Sequence, residues 1–189
     1  MIRHTSCVVA VALCALAGFV VAGDSSSVKS GIQVGGQVPA FYVKDITGDQ
    51  KGKDELCYRC RYGKNPCIAV FARSLDEKTG KLIARVDQLV VSKKDANLKG
   101  FVVFVADDTD SLEPKLTKLA ADKNISGTPL TVFKGASGPA DYELSKDADV
   151  TVLMWVGGEV KVNHAFAPGK LDDKVLAAIA KDVQKILEK

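Results

Sequence analysis

Histidine, methionine and tryptophan are scarce in this 189-residue chain, at two, two and one respectively. Two histidines leave little room for a His-rich metal centre. An excess of one charge is also lacking. The 26 basic and 23 acidic residues give a net +3, too balanced for a dedicated nucleic-acid binder. No glycine motif suited to cradling phosphate follows a strand-like run, and no Ser-His-Asp set stands out. There is no internal repeat. What the chain does have is apolar content: 47% hydrophobic and 26% charged residues fit one globular domain with a buried core, not a disordered or collagen-like chain.

The N-terminus reads as an address. Arg3 and His4 precede an uncharged run of 14 residues, Val8–Val21, shorter than the ~20 needed to span a bilayer. Val20 and Ala22 have the spacing a signal peptidase reads. Residues 1–22 are therefore expected to be a signal peptide and Gly23 the first mature residue. The protein would be exported, periplasmic or extracellular, with no stable membrane insertion after cleavage. Leu13 before Cys14 is a poor match to a lipoprotein signal. Residues 23–35, rich in serine (Ser25, Ser26, Ser27, Ser30), read as a flexible leader, and 36–189 as the domain.

Two periodicities alternate beyond the leader. Cys67–Ala72 and Phe101–Ala106 are continuous apolar runs, the texture of strands buried on both faces. Leu82, Ile83, Val86, Leu89 and Val90 trace a helix stripe, as do Leu112, Leu116, Leu119 and Ala120, with Ser111 expected as N-cap. Leu130–Phe133 is a short extended piece. Val150–Val156, the Gly157-Gly158 turn and the alternation of Val160, Val162, His164 and Phe166 predict a hairpin. Leu171 to Leu187 predicts one long C-terminal helix. The expectation is a single α/β domain with a central mixed sheet flanked by helices.

That order resembles the thioredoxin fold. The entry pattern Gly36-x-Val38-Pro39-x-Phe41-x-Val43-x-Asp45-x-x-Gly48 resembles the redoxin branch, which includes peroxiredoxins and exported thioredoxin-like proteins. In redox-active members the nucleophilic cysteine follows the first central strand and opens the next helix, whose N-terminus stabilises the thiolate. The equivalent stretch here, Arg73-Ser74-Leu75-Asp76-Glu77-Lys78, has no cysteine, so a peroxidase is not expected. The resemblance also implies a cis-proline just before the last hairpin. Lys146-Asp147-Ala148-Asp149 has none, and Thr128-Pro129 stands earlier, before what resembles the redoxin insertion.

The chain's own cluster runs from Cys57 to Cys67: C-Y-R-C-R-Y-G-K-N-P-C. Removal of the signal takes Cys7 and Cys14 away and leaves an odd set of three. One reading is a redox-active C-x-x-C at Cys57 and Cys60, acting on a protein thiol or disulfide partner. Arg59 and Arg61, with no acid between Cys57 and Arg73, would favour the thiolate, and Tyr58 and Tyr62 would offer a partly apolar contact surface. A second reading is a structural disulfide among Cys57, Cys60 and Cys67, its pairing undetermined, in a redox-inactive binding or scaffold module. A third is a Cys3His metal set completed by His164, although the parity of His164 suits a half-buried structural histidine. Cys67 opens a buried strand and suits a core position. Asp107, Asp108 and Asp110 read as turn and capping residues. No metal, cofactor or nucleic acid is expected.

Overall fold

A computed structural model describes residues 28–188, so the expected signal at 1–22 lies outside the described residues. The core is a six-stranded mixed sheet with strand order β1-β4-β3-β2-β5-β6. Its strands are β1 (Lys44–Asp45), β2 (Cys67–Ala72), β3 (Lys99–Ala106), β4 (Leu130–Lys134), β5 (Val150–Val156) and β6 (Glu159–Phe166). β2, β3 and β4 run parallel, while β5 and β6 form the expected antiparallel hairpin. The extended piece at Leu130 is thus a third parallel strand, reached by a helical crossover. Gly157 and Gly158 take φ of 65° and 90° in the hairpin turn, which glycine adopts without a Cβ clash.

The two faces of the sheet are closed differently. Ile68, Val70, Val102, Phe104, Val152 and Met154 face the helices α2 (Glu77–Ser92), α3 (Glu113–Lys123), α4 (Asp173–Asp182) and α5 (Gln184–Leu187). Their chain neighbours Ala69, Phe71, Phe101, Val103, Leu153 and Trp155 point the other way, by the two-residue period of a strand. There they meet irregular chain bearing Ile32, Val38 and Phe41, a 3-10 turn ending in Tyr142, and the five-residue helix α1 (Tyr58–Tyr62). The rings of Phe41, Phe71 and Tyr142 lie 4.7–5.8 Å apart, at the tilted and edge geometries that aromatic quadrupoles favour.

The described part of the expected leader is not a free tail. Ser30 is buried, and its hydroxyl lies 2.8 Å from that of Thr151 on β5 and accepts from the Ser145 N–H. Asn163 donates to the carbonyls of Ser30 and Ile32, and Gly35, Gly36 and Val38 bond to the Gly158–Val160 backbone. This segment covers the outer edge of β6, where unpaired backbone would otherwise template association. Two helix ends also differ from expectation. Leu112, not Ser111, precedes α3, and the Ser111 N–H is instead held by Asp108. The C-terminal helix is divided at Val183.

The α2 cap yields a pH prediction. The Asp76 carboxylate accepts from the Thr79 N–H at 2.7 Å, and that bond holds its carboxyl below the ordinary range. A depressed folded-state pKa means the contribution is complete above the unfolded value, about 3.9, and is lost as pH falls through the folded one. Asp76→Ala should cost about 1 kcal/mol at neutral pH. In acid, below the folded-state pKa, urea titration should find that difference gone.

Candidate functional site at the cysteine pair

Cys57 and Cys60 form a disulfide, with Cα atoms 5.3 Å apart. Cys67 is free and fully buried at the start of β2. Burial pushes its thiol well above the usual range, with Lys99 pulling weakly the other way, so it stays protonated. The pair spans the N-terminus of α1. Cys57 is the N-cap and its sulfur receives the Cys60 N–H at 3.1 Å, while Gly63 closes the helix at φ 58°. The two residues differ in exposure: Cys57 is 9% exposed, whereas Cys60 is exposed.

Tyr58, between the cysteines, is not the contact surface expected of it. Only 2% exposed, its ring stacks on Phe101 at 5.5 Å, and its hydroxyl donates to Asp45 at 2.9 Å. Burial, reinforced by that carboxylate, drives the Tyr58 phenol far above its ordinary value. Asp45 is itself fully buried and also accepts from the N–H groups of Gly48 and Gln50, at 2.8 and 2.9 Å. A Cβ on Gly48 would lie 2.5 Å from the Tyr58 hydroxyl and 2.6 Å from Asp45, so only glycine fits this knot. Asp45 therefore anchors the cysteine helix. Nothing in its immediate sequence marks that role except the Asp-x-x-Gly turn spacing.

The charge around the pair is also less one-sided than the local sequence suggests. Arg61 forms a bidentate pair with Asp49, at 2.9 and 2.6 Å, from the turn after β1. The Arg59 Nε donates to the Val38 carbonyl at 2.9 Å, which fixes that guanidinium beside the hairpin turn. His164 does not join the cysteines. It lies 2.9 Å from Asp182 on α4, and no three-ligand metal group occurs among the described residues.

The opposite end of β2, where the resemblance leads to the expectation of a redox-active cysteine, holds Arg73. Its guanidinium donates to the carbonyls of Ala136, Leu144, Ser145 and Ala148, tying two loops to the strand end. Ser74 adds a bond to Asp149 at 2.6 Å. Asp107 and Asp108 serve loop geometry nearby, accepting from the Ala136 and Ser111 N–H groups. Pro129 lies at the cysteine end instead. It lines a groove of about 500 Å³ with Tyr58, Arg61 and Tyr62, and no cis peptide bond occurs among the described residues. Neither cysteine lines that groove.

No protein-family model matches the chain, and no curated protein matches it. Solved structures do. A candidate protein disulfide isomerase from Bacteroides thetaiotaomicron superposes with a TM-score of 0.63 at 14% identity, covering 85% of this chain and 94% of its own. A candidate thiol:disulfide interchange protein, DsbE, from Chlorobium tepidum gives 0.57 at 14% identity over 82% and 99%. The yeast mitochondrial 1-Cys peroxiredoxin gives 0.58 at 12% identity over 81% and 76%. Likeness at this identity carries the architecture and not the activity. The chain has a thioredoxin-like fold, and its cysteine pair lies at the end of the sheet where the parallel strands begin.

Proposed function

We propose that this protein carries out thiol–disulfide exchange at Cys57–Cys60, acting on a protein thiol partner in an oxidising compartment outside the cytoplasm. The observation that carries the reading is the asymmetry of the pair: Cys60 is an exposed residue, whereas Cys57 is only 9% exposed and its sulfur receives the Cys60 N–H at 3.1 Å. A partner thiolate attacks the Cys60 sulfur, the bond to Cys57 breaks, and Cys57 leaves with the electron pair. The N–H that faces the Cys57 sulfur stabilises it as a thiolate. A second partner thiolate then attacks the partner's sulfur in the mixed disulfide and releases Cys60. The partner has lost two electrons and two protons, and the pair has gained them.

A second reading keeps the disulfide as a clip. The burial of Cys57 and the tie of Tyr58 to Asp45 favour it, since both make α1 a packed element. A ring this short constrains the unfolded chain by only about 2 kcal/mol. Redox titration in defined thiol buffers, followed by alkylation and peptide mass spectrometry, separates the two. Exchange in the folded state between about −120 and −270 mV is expected. A pair that stays oxidised below about −300 mV until denaturant is added is a clip. In protein taken from its native host, the same spectra read the first residue, which is Gly23 if residues 1–22 are an export signal.

A further inference from the structure

We infer that the groove beside α1 docks an extended, acidic segment of the partner whose thiol reaches Cys60; this rests on the exchange reading above. The groove lies where α1 meets the C-terminal turn of α2 and the loop before β4. Its rim begins at Arg61, the residue directly after the exposed cysteine. Val91, one of three large apolar side chains that stand exposed among the described residues, lines it at 47% exposure. Apolar contact area is thus already present and uncovered.

The charge lining the groove indicates what it takes. Arg61, Lys94 and Lys99 are its basic side chains, and Asp49 its only acidic one. Asp49 is already engaged by Arg61, while Lys94 and Lys99 have no salt-bridge partner among the described residues. The carboxylates behind the lining, Asp45 and Asp87, are buried and held by hydrogen bonds, which leaves Lys94 and Lys99 as the unpaired charges at the groove surface, suited to Asp or Glu side chains. The loop wall is stiff, because Asp87, itself buried, accepts from the N–H groups of Ser126 and Gly127. Thr128, on the same wall and 2% exposed, has a hydroxyl with no hydrogen-bond partner among the described residues.

Size and position select a chain segment over a small anion. At about 500 Å³ the groove is large enough for a small ligand. Neither cysteine lines it, however, so a ligand enclosed there would not touch the disulfide. A peptide lying in the groove and continuing past Arg61 meets the residue next in the chain, the exposed Cys60.

The test uses short cysteine peptides flanked by Asp and Glu, or by Lys, with dithiothreitol as an uncharged reference thiol. Mixed-disulfide formation is timed on the oxidised protein. Each rate is divided by that peptide's rate with a small uncharged disulfide, which removes the influence of flanking charge on the thiol. At low salt the acidic peptide should react about tenfold faster than the basic one, and the gap should close by about 0.5 M salt. In the Lys94→Glu/Lys99→Glu variant the preference should reverse. Equal normalised rates alongside normal dithiothreitol exchange would overturn the docking inference and leave the exchange reading intact. Failure of dithiothreitol itself would sink that reading. Binding of the same peptides with serine for cysteine, followed by fluorescence anisotropy, then decides the groove alone: no preference for the acidic peptide overturns it.

Discussion

Cys57→Ser should react with thiol reagents and trap partners through Cys60, whereas Cys60→Ser should be nearly inert. Two properties oppose each other here. The Cys57 sulfur receives an N–H bond, which favours its thiolate, but it is 9% exposed. Cys60 has no such hydrogen bond to its sulfur among the described residues but is an exposed residue. Exchange needs an in-line approach to sulfur, so access dominates, and the alkylation rate of the lone Cys60 should exceed that of the lone Cys57 by about tenfold or more. Timed alkylation of the two variants under native conditions measures the ratio. A ratio the other way would make Cys57 the sulfur that partners attack, and would reverse the order of bond-making derived above.

Asp45→Ala should be the most damaging single change near the pair. It removes the acceptor of two backbone N–H groups and of the Tyr58 hydroxyl, and empties a fully buried site. Leaving these donors unmatched should cost about 3 kcal/mol. In a domain of this size that lowers the midpoint of thermal unfolding by roughly 6–12 °C, which calorimetry reads directly. Tyr58→Phe removes one donor and keeps the stack on Phe101, so its cost should be about 1 kcal/mol. If both substitutions cost the same, the carboxylate is not the centre of the knot.

The parts of the fold legible in the sequence are those that bury many apolar residues in register. All six residues of β2 are buried, and the alternation along β6 gave the hairpin partner of β5. α1 escaped notice because five residues are too few to show a helical period; a sulfur cap, a glycine end and one inward ring make it. The neutralisation of Arg61 was hidden for a different reason. Its partner Asp49 lies twelve residues upstream, outside any window drawn around the cysteines. Ser30 misled by composition, because a serine-rich stretch reads as solvated chain until Thr151 and Ser145 are seen to meet its hydroxyl. The disulfide partner was likewise invisible, since three cysteines permit several pairings and only the α1 backbone brings Cys57 and Cys60 together.

The aromatic contacts beneath α1 give the molecule a built-in optical gauge. Tyr58 stacks on Phe101, and Phe101 meets Trp155 edge-on at 6.0 Å. Trp155 is the chain's single tryptophan and is fully buried. Its emission therefore originates from one dry environment, two ring contacts from the residue between the cysteines. Reduction that leaves α1 seated keeps that emission at short wavelength; reduction that unseats Tyr58 lets water toward the indole and shifts it to the red. Opening the disulfide can thus be followed in real time without a label.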